Sequence, residues 1–308
     1  MINRVLIRVK VVQSLYSYLF TRPDCTVRQA VSGLNKSFEQ SYDFYLSLFK
    51  LIITLTDLQD QRLDDAKHKF LPTEEDLNPN TRFVDNALVQ ALRDNKTLEK
   101  LFEDRLIRWD DALFNRLMLD KVLNSDLYCD YMQAETADLH ADTALWKKLL
   151  EQVILDDEDF AEYLENQSIY ISTEDIDIMG QFAVKSLQRI ANGTEDVIDP
   201  MFKDDEDRTF GENLLTKSIR DYDSNNVLID SCINAETWDR NRVAAMDRVV
   251  MNVAVTEMKC FDNIPPQVTL NEYIELAKLF STDRSGVFVN GVLNNVMKHL
   301  KQQGKLNN

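Results

Sequence analysis

The sequence is poor in the residues that punctuate a chain. Seven glycines and six prolines in 308 residues are too few for a turn-rich β sandwich or for several glycine-rich phosphate loops. The four cysteines, Cys25, Cys129, Cys232 and Cys260, are scattered and form no Cys-x-x-Cys pair. Neither a zinc site nor a disulfide framework is expected, and buried free thiols in a reducing cytosol fit them better. The three histidines, His68, His140 and His299, stand far apart, none at ligand spacing from a cysteine or an aspartate. There is no Gly-x-Ser-x-Gly elbow. Gly286 to Gly291 has Walker-like spacing, but Val292-Leu293 stand where Lys-Ser/Thr is required. The expectation is no enzyme, no metal and no cofactor. The longest apolar run, Leu46 to Leu55, is interrupted by Lys50 and too short to cross a bilayer. The N-terminus has no signal-peptide layout, so a cytoplasmic protein without membrane contact is expected.

What is present is helical and unevenly charged. With 44% hydrophobic and 28% charged residues, the composition is that of a globular chain, and the dominant apolar period predicts an all-α fold. The net charge of −17 argues against nucleic-acid binding as a bulk property. Its distribution argues otherwise. Residues 1–30 carry a net +4 and residues 240–308 a net +3, leaving −24 on residues 31–239. Basic ends and an acidic middle point to separate tasks.

Taken in order, the first helix places Val5, Val9, Val12, Tyr16 and Leu19 in one stripe, with Arg4 and Arg8 on its shoulder. Lys10, Ser14 and Ser17 are expected to face away. Residues 26 to about 70 read as one long helix or a pair, ended by Pro72 and Asn78-Pro79-Asn80. Helical patterns follow over Phe83–Phe102, Leu113–Met132, Thr143–Leu155 and Thr173–Ile190. The acidic runs Asp156–Asp159 and Asp204–Asp207 suit helix starts. Phe83 to Asp110 and Phe210 to Asp239 share a weak pattern of Phe, Arg-Asp and Trp-Asp. It reads either as a degenerate internal repeat or as chance similarity between amphipathic helices, which a common helix order would separate.

The last 70 residues hold the sharpest pattern. Val243, Met246, Val250 and Val253 share a helical face, and Pro265-Pro266 interrupts the chain. Thr269 with Glu272 reads as a capping box opening the next helix. Val289, Val292, Val296 and Leu300 form the stripe of a final helix.

This stretch resembles the NusB family of transcription antitermination factors. The resemblance rests on Val268-Thr269-Leu270-Asn271-Glu272-Tyr273-Ile274-Glu275-Leu276-Ala277-Lys278 and on Phe288-Val289-Asn290-Gly291-Val292-Leu293. The run Arg8 to Tyr16, with Gln13-Ser14-Leu15-Tyr16, is similar to the family's opening helix, and Phe210 to Ile219 matches its third. It implies a NusB-like helical bundle with an inserted acidic helical region. N-terminal helices would occupy 1–75, the insertion 76–205 and a C-terminal helical subdomain 206–308.

The resemblance further implies a non-enzymatic, RNA-binding factor. It would take boxA-type RNA of ribosomal transcripts with NusE, a small-subunit ribosomal protein, and join NusA, NusG and RNA polymerase. NusB-like domains also precede RNA methyltransferase domains, but no methyltransferase glycine motif follows here. The alternative is a NusB-like scaffold whose acidic insert binds a basic partner.

Single-stranded RNA is held by Arg/Lys on phosphates and by aromatics or amides on bases. The expected RNA contacts are Arg4, Arg8 and Gln13 of the first helix, with Lys278, Thr282, Arg284, Ser285, Phe288 and Asn290 near the end. Phe288 serves equally well as core. Tyr16 and Asp247 are the candidates for the NusE face. The cationic ends should fold together into one groove.

Overall fold

The computed structural model describes residues 2–21, 24–135, 138–194, 197–233, 243–280, 282–304 and 306, with the backbone alone at Asp283. The described chain is helical throughout. The helices are α1 Arg4–Thr21, α2 Val27–Lys67, α3 Glu74–Leu77, α4 Ala87–Asp94, α5 Lys96–Asp104, α6 Ala112–Leu123 and α7 Asp126–Gln133. They continue with α8 Leu139–Leu149, which runs on into a π turn at Leu150–Ile154, then α9 Glu158–Gln167 and α10 Thr173–Ala191. The last four are α11 Asp205–Cys232, α12 Ala245–Cys260, α13 Pro266–Phe280 and α14 Asp283–Gln302. Among the described residues no β-strand forms, and Ile2 and Phe202 make an isolated bridge. The fold class is all-α, as the periodicity predicts.

The contacts divide the chain at Phe38/Glu39 and Met201/Phe202, giving one unit of 39–201 and another of 2–38 with 202–308. This differs from boundaries at 75 and 205. Helix α2 is continuous for 41 residues, so the change of packing partner falls inside a helix and leaves no breaker in the sequence.

In the first unit, residues 39–67 of α2 supply Tyr45, Phe49 and Ile52 to the core, all fully buried. Tyr45 shares a 2.8 Å hydrogen bond with Ser186 of α10. The patterned segments 83–102 and 113–132 are each cut by a small polar cap. Asn95 ends α4 and accepts from the N–H groups of Thr97 and Leu98 to open α5, and Ser125 caps α7 through Tyr128 N–H. Residues 83–131 thus form a run of four short helices, whereas the described part of 210–260 belongs to two long ones, α11 and α12, and the helix order excludes the internal repeat. Trp238-Asp239 of that pattern lie outside the described residues.

In the second unit, α12 is the centre, packed against α1, α11, α13 and α14. Val249 to Met258 are all buried, a helix covered on every side by four neighbours, with Asn252, Thr256 and Glu257 as its buried polar groups. Each such Val or Met contributes roughly 1.5–3 kcal/mol by leaving water. Gly211 lets α11 approach α1 closely: a Cβ there would meet Ile7 Cγ2 and Phe38 Cζ at 3.0 Å.

The stripe of α14 falls as read, with Val289, Val292, Val296 and Leu300 all buried. Both acidic runs open helices: Asp157 caps α9 through Phe160 N–H and Asp204 caps α11 through Asp207 N–H. Several local expectations fail. Val5, placed in the α1 stripe, is 41% exposed, and the four cysteines are half-buried or, at Cys129, exposed, because each sits near a helix end or on an outer face. Lys10 is only 1% exposed, because residues 6–12 of α1 are buried on every side. Thr269 does not open α13, which starts at Pro266; its hydroxyl donates instead to Glu257 Oε1 at 2.8 Å.

Candidate nucleic-acid interface

The expected RNA residues are held by three helices of the second unit, α1, α13 and α14. Their environments differ sharply.

On α1, Arg8 is buried. Its Nε and Nη2 donate to the two carboxylate oxygens of Glu257 at 2.9 Å each, and Nη1 donates to Glu272 at 3.4 Å. Thr269 and Tyr273 hydroxyls donate to the same Glu257 at 2.8 and 2.9 Å. A buried carboxylate with four donors, two of them from a bidentate arginine, is a satisfied structural cluster. Burial alone would push the Arg8 guanidinium down, but its hydrogen bonds to Glu257, with the nearby negative charges, carry it above its ordinary value. Burial, and then the Glu257 charge, hold the Tyr273 phenol well above its ordinary value.

Arg4 sits one turn earlier and pairs with Asp207 at 2.7 Å and Glu206 at 3.0 Å. Both guanidiniums lie over the Phe210 ring, at 5.3 Å for Arg4 and 5.7 Å for Arg8. The acids of the Asp204–Asp207 run thus hold the helix they start and an arginine of α1. These two arginines are engaged inside the fold and do not line an open groove. Gln13 is half-buried.

At the other end the picture reverses. Thr282 is the N-cap of α14, its hydroxyl accepting from Ser285 N–H at 3.3 Å. Arg284 follows, exposed, and none of the ion pairs among the described residues includes it. Lys278, at the end of α13, pairs with Glu275 at 2.6 Å and lays its stem over Gly286, where a Cβ would meet Lys278 Cγ at 2.8 Å. Lys278 and the first turn of α14 are therefore neighbours. Asn290 is exposed one turn further on and bonded to Asn294, and Lys298 lies one turn beyond that, exposed.

From Arg284 to the end of α14 the sequence has no Asp or Glu, in a chain of net charge −17. Asn294 and Lys298 were not among the expected contacts, yet this acid-free run was the signal for them. Ser285 and Phe288 are buried, at 8% and 5% exposure, so Phe288 belongs to the core and offers no stacking face.

On the proposed protein face, Tyr16 is half-buried and packs on Phe20 with centroids 4.6 Å apart; Phe20 is 66% exposed. Asp247 is 5% exposed in the first turn of α12, so it faces the interior and not a partner.

The NusB family model matches residues 175–298. Transcription antitermination protein NusB of Salinibacter ruber is 38% identical over 108 residues, 35% of this chain and 66% of that protein. The protein of the same name from Chloroherpeton thalassium is 38% identical over 94 residues, 30% of this chain and 42% of that one. The one from Desulfosudis oleivorans is 43% identical over 76 residues, 25% and 47% respectively. The matched stretch thus spans less than two thirds of each relative. No solved structure matches the chain. The C-terminal part of the chain is thus similar to the NusB family, within a longer chain whose described residues form helices and loops.

Proposed function

We propose that this protein is a transcription antitermination factor that binds single-stranded, boxA-type RNA through α14 and the end of α13. The observation that carries this is the exposed, carboxylate-free face running from Arg284 past Asn290 and Asn294 to Lys298. Cations there meet phosphates and the two amides meet base edges, the chemistry by which unpaired RNA is held. Thr282 and Lys278 complete the face at its start. The cap of α14 adds the favourable end of its dipole to an anion placed there. Arg4 and Arg8 act indirectly, by fixing α1 on the α11–α13 framework.

The names of the relatives, transcription antitermination proteins, support antitermination as the task. RNA, a NusE-type ribosomal protein, NusA, NusG and RNA polymerase are the partners we propose from the family resemblance. The Tyr16–Phe20 pair is the proposed contact for NusE, an exposed aromatic patch of the kind enriched at interfaces.

Fluorescence anisotropy with boxA-type RNA, with and without a NusE-type protein, tests the reading. Binding that strengthens when the protein partner is added, and weakens in Arg284→Ala, is expected. Association with the protein partner alone, with no RNA bound in either arm, would replace it by the scaffold reading.

A further inference from the structure

The first unit contains a cavity of about 340 Å³ between residues 40–47 of α2, the loop at 105–109 and the end of α9. That is the size of a small-molecule site. Its floor is aromatic. Buried Phe114 stacks on Tyr163 with centroids 3.7 Å apart and planes 12° apart, and on Trp109 at 5.8 Å and 14°. Trp109 and Tyr163 are 6.0 Å from each other at 24°. Trp109 and Tyr163 both line the cavity, with their rings near parallel to each other and to Phe114. The indole N–H donates to the Ser47 carbonyl at 2.8 Å, which fixes the indole.

The charges at the rim are as informative. Asp43 is the carboxylate among the lining residues, and Arg105 holds it while also pairing with Glu39. Arg108 is exposed and belongs to none of the ion pairs among the described residues. Between these arginines Leu106 takes φ 54° and is 70% exposed. A leucine in the left-handed region is a strained choice that the surrounding turn must impose. The strained turn brings Arg105 and Arg108 to the same opening.

We propose that this cavity binds a nucleotide, with the base stacked on Trp109 and Tyr163 and the phosphate on Arg108. Near-parallel aromatic rings at the wall of a cavity suit a planar base, and stacking on aromatics is tolerant of base identity. Residues 31–239 carry a net −24, which repels a long polyanion. One phosphate in contact with Arg108 lies well inside the screening length of about 8 Å and feels that guanidinium first. A free mononucleotide is therefore favoured over a nucleotide within a strand.

The test is titration of the full chain with adenosine monophosphate, by calorimetry and tryptophan fluorescence. Adenosine, inorganic phosphate and a short single-stranded RNA form separate arms. Saturable binding of the mononucleotide is expected, weaker binding of adenosine, and none of phosphate. Arg108→Ala should lower the mononucleotide affinity about tenfold, the loss of one charge-assisted contact, with an unchanged melting temperature because the residue is exposed. Tyr163→Leu should abolish the fluorescence change, and Arg108→Ala keeps the proposal testable if that variant fails to fold. Arg284→Ala should leave mononucleotide binding intact, which separates this site from the RNA face. The proposal is overturned by absence of saturable binding, by an unchanged affinity in Arg108→Ala, or by binding of the RNA strand alone.

Discussion

Helices α1 and α14 look alike as sequence and opposite as structure. Both are amphipathic, both carry an arginine in the first turn, and both sit in basic ends of an acidic chain. In α1 the cations turn inward: Arg8 is clamped by Glu257 and Glu272, and Arg4 by Asp207 and Glu206. In α14 Arg284 and Lys298 stay outside and meet no carboxylate of their own helix beyond Asp283. A cation becomes available to a ligand only when the fold leaves it without a nearer anion, and helical spacing does not contain that information.

The largest expected effect would break the comparison at α1. Arg8→Ala leaves Glu257 charged and buried beside two hydroxyl donors, at a cost of roughly 3–5 kcal/mol in unfolding free energy. Urea denaturation followed by circular dichroism measures it. A loss below about 1 kcal/mol would mean that Arg8 is not structural, and the reading of α1 would fall. The sequence alone suggested instead that this substitution acts on RNA affinity and its salt dependence.

Next comes alkaline pH. The folded Tyr273 phenol titrates well above its ordinary value of 10.0 because of burial and Glu257, and burial raises Tyr42 and Tyr131 to about 12. Above pH 10 the folded state holds protons that the unfolded state has released. The stabilisation is complete below pH 10 and is lost as pH rises through the folded values. Thermal melts from pH 8 to 11 should show a falling midpoint at the alkaline end, with a shallower fall in Tyr273→Phe. A parallel fall in both proteins would remove Tyr273 from the account.

At α14 the expected effect is smaller and concerns binding. Arg284→Ala should reduce affinity for boxA-type RNA several-fold and lower the salt-dependence slope by about 0.7, as for one lost phosphate contact on a single strand. Unchanged folding stability in the same variant would sharpen the contrast with Arg8. An unchanged slope in an anisotropy titration would take Arg284 off the RNA face.

The smallest effect is a gain. Gly291 is exposed within α14, and a Cβ there meets nothing within 4 Å. Gly291→Ala should stabilise the protein by about 0.5–1 kcal/mol through helix propensity. A loss of RNA affinity alongside that gain would mark close approach of the ligand to the helix backbone.

Much of this was legible in advance where the physics is local. The stripe of α14, the acidic helix starts and the long α2 follow from spacing and capping, which act over a few residues. The cuts at Asn95 and Ser125 were equally local but were hidden by strong apolar periods on both sides. Lys10, Thr269, Phe288 and Asp247 were placed less well, because each has its surroundings set by a different helix. The acid-free run after Asp283 was visible in the sequence, and it gained meaning only once α14 proved to expose it.

The amino-acid sequence by itself determined an all-helical chain, its family resemblance and the uneven placement of its charge, since periodicity, capping and composition need no partner. The tertiary structure alone decided which arginines face solvent, where α2 changes packing partner, and that Trp109 and Tyr163 line one cavity. Burial and ion pairing depend on residues brought together from distant positions: Arg8 and Glu257 stand 249 residues apart, and their 2.9 Å contact exists only in the folded chain.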